Sequence, residues 1–490
     1  MGYEFDAVLI NPGDRKQVFQ NLGKEYAAIE PPYWVAVTAA FLRNNGYRIA
    51  VIDSDADNIT PEETASRVCD LKAMISIIIA HGSTPASSTL NMDVSGRICR
   101  AIRGSSSCRI ALSGIHPTAL PERTMKEEEI DFVIEGEGPI TIRKLLETLK
   151  AKSDVFSKVE GLWYRENGAI KNNPRAPLAD NLDEMLPTAA WDLLPMPKYR
   201  SHFWHSFDSI TKRSPYVSLY TSLGCAFNCS FCCINTLFGK PGIRYRSPER
   251  VIDEIGLLVN KYGVRNIKIS DELFVFKESH YMKIVDMIIE RGYDLNIWAW
   301  ARVDSIKLEN LEKMKKAGIN WLVLGIESAN KDVRKGVNKK INVDNVEGLV
   351  KKVRSFDINI VANYMFGLPD DTIESMQETL DQAIEINAEM ANLYCTMAYP
   401  GTRLYEKAIK EGWELPGNWQ GYSQHSYDTL PLPTKHLSAK EVLKFRDEAF
   451  MKYFTNSKYL ELIRGKFGQE AHDYMVEITR IRLKRKLLGD

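Results

Sequence analysis

Along residues 1–158, short apolar blocks alternate with stretches whose apolar positions recur at helical spacing. The blocks at 7–11 (AVLIN), 48–53 (RIAVID), 74–81 (MISIIIAH), 109–113 and 131–135 predict five strands. The third is almost continuously apolar, as in a strand buried on both faces. Helical periods fall at 34–44, 61–71 and 140–150, and Thr60 and Pro61 stand where an N-cap and a first helical residue belong. Strands alternating with helices predict a doubly wound, Rossmann-like α/β domain. A second βα series has strands expected at 216–221, 267–270, 296–301, 321–326, 359–366 and 392–397. Six such units predict a partial, open (β/α)6 barrel with its function at the carboxyl ends of the strands. Between the series, 159–173 reads as a hairpin turning at Asn167-Gly168, and five prolines from 174 to 200 mark a linker. Beyond 412 the pattern changes to an aromatic-rich segment holding Trp413, Trp419, Tyr422, His425, Tyr427 and His436. Two helices are expected after it, the first capped by Ser438. The expected domains are therefore 1–158, a hairpin and linker at 159–212, the barrel at 213–411 and a small helical region at 412–490.

Composition narrows the function. The 490 residues carry 64 Lys+Arg and 64 Asp+Glu, so the net charge is zero, which argues against a general nucleic-acid binder. The basic run at 480–486 reads as a solvated helix end. The first residues lack a basic region followed by a long apolar core, and no apolar run approaches the roughly 20 residues of a membrane span. A cytoplasmic protein is expected, in which eight cysteines form no disulfide framework.

Four of those cysteines lie within nine positions, at Cys225, Cys229, Cys232 and Cys233. Cys225-Ala-Phe-Asn-Cys229-Ser-Phe-Cys232 is a CxxxCxxC loop directly after the first barrel strand. It admits a [4Fe–4S] cluster, a zinc site or buried thiols. Zinc favours two pairs of ligands, and no second CxxC pair exists. Three thiolates on one loop hold three irons and leave the fourth open, as catalysis needs. Cys233 is expected to line a pocket or to be buried. The loops that end the first-domain strands hold Asn11-Pro12, Gly82-Ser83-Thr84, Gly114 with His116, and Gly136-Glu137. They form a ligand-binding rim without a dinucleotide or P-loop fingerprint.

CxxxCxFC in this position resembles the radical S-adenosylmethionine (SAM) enzymes, over roughly residues 213–405. The resemblance implies a [4Fe–4S] cluster whose open iron is chelated by SAM, and an external one-electron reductant of the flavodoxin or ferredoxin type. It also implies roles for strand-end residues. Phe231 would lie by the adenine, Asp271 and Glu272 would bind the SAM amino group, and Arg302 its carboxylate. Glu327 would reach the ribose or the amino acid part, and Gly367 would let the backbone approach adenine.

The first domain, with Ser113-Gly-Ile-His116-Pro-Thr118 and Glu135-Gly136-Glu137-Gly138, resembles that of the cobalamin-binding subclass. No DxHxxG motif is present, so His116 is expected to shape the loop around the corrin rather than ligate cobalt. The subclass implies a methyltransferase of EC class 2.1.1. One SAM would methylate cobalamin, and a second would yield the 5′-deoxyadenosyl radical that activates an unreactive C–H or phosphinate centre of a small molecule. A non-methylating cyclisation, ring contraction or other rearrangement with the same cofactors is the alternative. A tRNA methylthiotransferase would want a second cysteine trio and a basic module, and a corrinoid carrier would leave the strand-end charges without purpose.

Overall fold

The computed structural model describes residues 3–23, 25–341 and 345–490. Its first sheet begins with β1 (Ala7–Asn11), β2 (Ile49–Asp53), β3 (Ile75–Ile79), β4 (Arg109–Ser113) and β5 (Phe132–Ile134). These five are parallel, in the order β2-β1-β3-β4-β5. β1 and β3 are buried at every position, as continuous apolar runs require. Helix Pro61–Leu71 starts as read, with a capping box formed by Thr60 and Glu63.

The hairpin, β6 (Leu162–Glu166) and β7 (Ala169–Asn172), turns at Asn167 and Gly168 with φ of 50° and 81°. Both signs are those of a type I′ turn. The hairpin does not stand apart with the linker. β6 pairs antiparallel with β5, Phe132 opposite Tyr164, and so extends the first sheet to seven strands.

The second sheet starts with β8 (Tyr216–Leu219). A small ladder of β9 (Ser222–Leu223) and β10 (Arg244–Tyr245) flanks the cysteine loop, and β11 (Asn266–Ile269), β12 (Asn296–Ala301), β13 (Ile319–Glu327), β14 (Asn359–Phe366) and β15 (Met390–Cys395) complete the series. β8 and β11–β15 are six parallel strands in sequential order with two free edges, an open barrel. At one edge, Gln424 of the aromatic segment both accepts from the Cys395 N–H (2.8 Å) and donates to its carbonyl (2.9 Å), sealing β15.

The C-terminal region holds three helices rather than two: Ala439–Phe454, Ser457–Phe467 and Gln469–Thr479. Gly468, at φ 90°, separates the last two. The first is capped by Ser438 with Glu441 in a reciprocal box. Val442 of this helix sits where Gly367 has no side chain: a Cβ there would lie 2.4 Å from Val442 Cγ1, and Gly367 has φ 79°. Gly367→Ala is therefore expected to cost about 1–3 kcal/mol through overpacking, and more from the left-handed backbone. An unchanged melting midpoint would show that the helix shifts freely. No described helix is long and apolar enough to cross a membrane.

Candidate functional site

The ends of β1 and β3 face the mouth of the barrel, and a cavity of about 610 Å³ lies between them. On one side it is lined by Asn11, Pro12, Gly82, Ser83 and Thr84, as read from the sequence, together with Trp34 and His81. Across it stand Phe231, Cys232 and Cys233 of the cysteine loop, and the inward faces of Tyr220, Lys268, Trp298, Trp300 and Met365. Most of the wall is apolar or aromatic. His81 stacks on Trp34 (4.6 Å, 10°), and burial lowers its pKa to about 3, so it stays neutral. Asn11 donates to Asp53 (2.8 Å), which also accepts from the Tyr199 hydroxyl (2.7 Å) and caps the next turn through the Ala56 N–H.

Four of the expected rim residues lie elsewhere. His116 is buried, 2% exposed, under the edge of Trp419 (4.3 Å, 76°) and close to the Thr89 hydroxyl. Arg123 covers the same indole ring at 4.5 Å. Burial, helped by Arg123, lowers the His116 pKa to about 3. Gly114 allows a close approach to the Ala80 carbonyl, which would lie 2.4 Å from a Cβ. The Gly136 N–H donates to Thr118 Oγ1 (3.0 Å), and Glu137 is held by Arg244 and the Ala179 N–H. These loops fasten the first domain to the aromatic segment and the linker rather than lining the cavity.

The cysteine loop is built for tight turning. Gly224 has φ 93°, and the Gly242 carbonyl would lie 2.4 Å from a Cβ there. The Gly242 N–H returns to the Cys225 carbonyl at 2.9 Å. Cys225 and Cys229 are half-buried, and Cys232 turns its accessible surface into the cavity. Burial raises all three thiol pKa values, while the N–H groups of Phe227 and Ile234 favour the thiolates of Cys225 and Cys232. Such thiols ionise on binding a cationic group. Three soft donors on one loop that opens into a cavity fit a cluster with one open iron.

Three of the expected strand-end charges gather round this loop. Glu272 accepts from the Gly224 N–H (3.1 Å), and burial, with Asp271 adding, pushes its carboxyl up to about 8. Arg302 lies 3.8 Å over the Phe227 ring and pairs bidentately with Asp304. Glu327, at a bulge between β13 and β14 with φ 68°, pairs with Lys339 at 2.9 Å. A non-glycine residue held in that region is a constraint typical of working sites. Lys339 was not singled out by the sequence. Burial alone would lower its pKa, but Glu327 and Cys229 hold it above the ordinary value.

Asp271 differs from expectation, because its carboxylate accepts from the Thr221 N–H, the Thr221 hydroxyl and the Ser222 hydroxyl, each at 2.6 Å. It fixes the entry to the cysteine loop and has little capacity left for a ligand. At Gly367 the neighbour that a Cβ would strike is Val442. The other feature missed from sequence is Lys268, 2% exposed, whose Nζ meets Glu30 (2.8 Å) and the Ser83 carbonyl (2.7 Å) and lies 5.0 Å over Trp298. A lysine between Ile267 and Ile269 in a buried strand was its signal.

The site thus belongs to a two-domain enzyme in which an α/β ligand rim faces a thiol loop across one cavity. The chain matches the B12 binding domain over residues 22–146 and the Radical SAM superfamily over residues 219–383. It is 30% identical over 448 residues to an uncharacterized methyltransferase of Pyrococcus horikoshii, covering 91% of this chain and 92% of that protein. It is 26% identical to the anaerobic magnesium-protoporphyrin IX monomethyl ester cyclase of Cereibacter sphaeroides over 434 residues, 86% of this chain and 66% of that one. The fold resembles that of TsrM from Kitasatospora setae, solved with cobalamin and a [4Fe-4S] cluster bound, at 15% identity. That match has a TM-score of 0.70 and covers 93% of this chain and 90% of that chain. The chain belongs to the B12-dependent radical SAM methyltransferase family. Its two matched regions are those of radical SAM chemistry and of B12 binding.

Proposed function

We propose that the protein methylates an unreactive C–H or phosphinate centre of a small, largely apolar molecule bound in this cavity. SAM would serve as both methyl source and radical source. The observation that carries the reading is the continuity of one cavity from the rim of the first domain to Cys232. When bound, the cofactors supply hydrogen-atom abstraction and methyl donation. The chain's residues position and exclude. Cys225, Cys229 and Cys232 would hold the cluster. Glu272 and Arg302 would orient the two ends of the SAM amino acid, and the Glu327–Lys339 pair would meet its polar groups. Asn11, Pro12 and the loop Gly82–Ser83–Thr84 would take the corrin. Trp34, Trp298, Trp300 and Tyr220 would keep water from the reacting centre. Electrons would come from an external one-electron carrier.

The test is product stoichiometry under anaerobic turnover. Methylation predicts S-adenosylhomocysteine and 5′-deoxyadenosine in equal amounts. Deoxyadenosine without S-adenosylhomocysteine would replace this reading with a non-methylating cyclisation or rearrangement, the kind of outcome named for the Cereibacter relative.

A further inference from the structure

The acids that line the cavity each have a cation of their own. Asp14 meets Arg97 at 2.5 Å, Asp55 meets Arg15 at 2.9 Å, and Glu30 meets Lys268 at 2.8 Å. Arg446 breaks this balance. It stands on the helix Ala439–Phe454, is 5% exposed, and lines the cavity beside β15. Its Nη1 pairs with Asp447 at 2.7 Å, but Arg485 holds the same carboxylate through Nε at 3.0 Å and Nη2 at 3.1 Å. Asp490, which accepts the Arg485 N–H, pairs with Arg482. Two buried guanidinium groups therefore share one carboxylate. Arg485 is saturated, because its Nη1 also donates to the Ser426 carbonyl and the Thr429 hydroxyl. Arg446 is not. Its Nε donates to the Leu393 carbonyl on the edge of β15 (2.8 Å), and among the described residues its Nη2 has no acceptor. Along β15 half-buried positions alternate with buried ones, so Tyr394 faces the cavity. Its hydroxyl has no partner among the described residues, and burial pushes its pKa up to about 12, so it keeps its proton. His425 lines the cavity too, with Nδ1 buried and unpartnered. Burial, then Arg446 and Arg485, lower its pKa to about 3, the mark of a wall with surplus positive charge.

We propose that the substrate is an apolar molecule bearing one oxyanion, a carboxylate or a phospho group, which docks on Arg446 with the Tyr394 hydroxyl as a second donor. The proposal rests on the reading above that this cavity holds the substrate. A buried cation without a counter-ion of its own is costly, and a ligand oxyanion supplies the missing partner through charge-assisted hydrogen bonds. In a wall that is otherwise mostly apolar, one such contact fixes which end of the molecule enters first. In strand order β15 is the edge opposite β8, which leads into the cysteine loop. An anion held at β15 leaves the apolar body to extend past Trp298 and Trp300 of β12.

The experiment measures binding by titration calorimetry on the reconstituted full chain with cobalamin and S-adenosylhomocysteine added, so that their own anionic groups are already in place. The probes are benzoate, 2-naphthoate and 2-naphthylphosphonate, with benzamide and 2-naphthamide as the neutral counterparts. At least one oxyanion is expected to bind tenfold or more tightly than its counterpart, as a hydrogen-bonded charge pair implies. The tighter of the two naphthyl anions tells carboxylate from phospho group. Arg446→Gln should abolish the preference and leave amide binding unchanged, and Tyr394→Phe should remove a smaller part of it. Asp447 keeps Arg485 in the Arg446 variant; if that variant still does not fold, the wild type against Tyr394→Phe decides. No preference in any pair, absence of binding included, would overturn the proposal. So would a preference that survives Arg446→Gln, or one lost in the double variant Glu30→Gln, Lys268→Met, which would place the anion at the other cavity cation. Binding is read without turnover, so a failed product stoichiometry and a failed charge preference are separate results.

Discussion

Replacing any one of Cys225, Cys229 or Cys232 by alanine is expected to abolish the visible absorbance of the anaerobically reconstituted protein and its turnover of SAM. The three thiols sit on one glycine-hinged loop, with Cys233 the nearest further thiol in the chain. A cluster iron without its thiolate is left to solvent, and the cluster does not survive two-point attachment. Cys233→Ala is the informative control. Its thiol is buried beside the loop, and burial pushes its pKa up to about 12, as for an inert packing cysteine. That variant should retain iron and sulfide. Normal iron and sulfide content in the three alanine variants, or loss only in Cys233→Ala, would refute the assignment.

The second large effect is structural. Lys268→Met leaves the Glu30 carboxylate without its cation in the cavity wall, where its side chain is 10% exposed. Breaking one partner of a buried pair costs about 3–5 kcal/mol, whereas removing both is often close to neutral. Lys268→Met should lower the denaturant midpoint strongly, and Glu30→Gln with Lys268→Met should recover most of the loss. Equal losses in the single and double variants would show that packing of the lysine stem, not charge, dominates.

The pair also sets a pH dependence. Burial alone would raise the Glu30 pKa, but Lys268 and His202 bring it down to about 2 from an ordinary 4.5. Its stabilisation is thus fully present above pH 4.5 and is lost as pH falls toward 2. In Glu30→Gln that part of the acid sensitivity should disappear.

The sheets were legible because their strands are buried on both faces. The runs at 7–11, 109–113, 296–301 and 359–366 coincide with β1, β4, β12 and β14. Thr60 and Ser438 act as the caps their neighbours suggested. Pairing between distant segments was not legible. Nothing local tells β6 to join β5, or tells Trp419 to cover His116, some 300 residues earlier in the chain. The same holds for charges. Glu30 and Lys268 meet across 238 positions, and Glu327, at a bulge, meets Lys339 beyond the end of its strand. Asp271 could be placed at a strand end from sequence, but not its three donors, which decide whether it is a ligand or a brace.

The seam across the open barrel has its own consequence. Residues 14–23, 25–26 and 419–425 meet there: Gln20 donates to the His425 carbonyl at 2.7 Å, and Ser423 to the Val18 carbonyl at 2.8 Å. Both segments line the cavity, through Val18, Phe19, Tyr26, Gln424 and His425, and among these residues Gln424 is bonded into a strand. On the function proposed above, substitutions along the seam would change what the cavity accepts while leaving the cysteine loop, a separate stretch of chain, untouched.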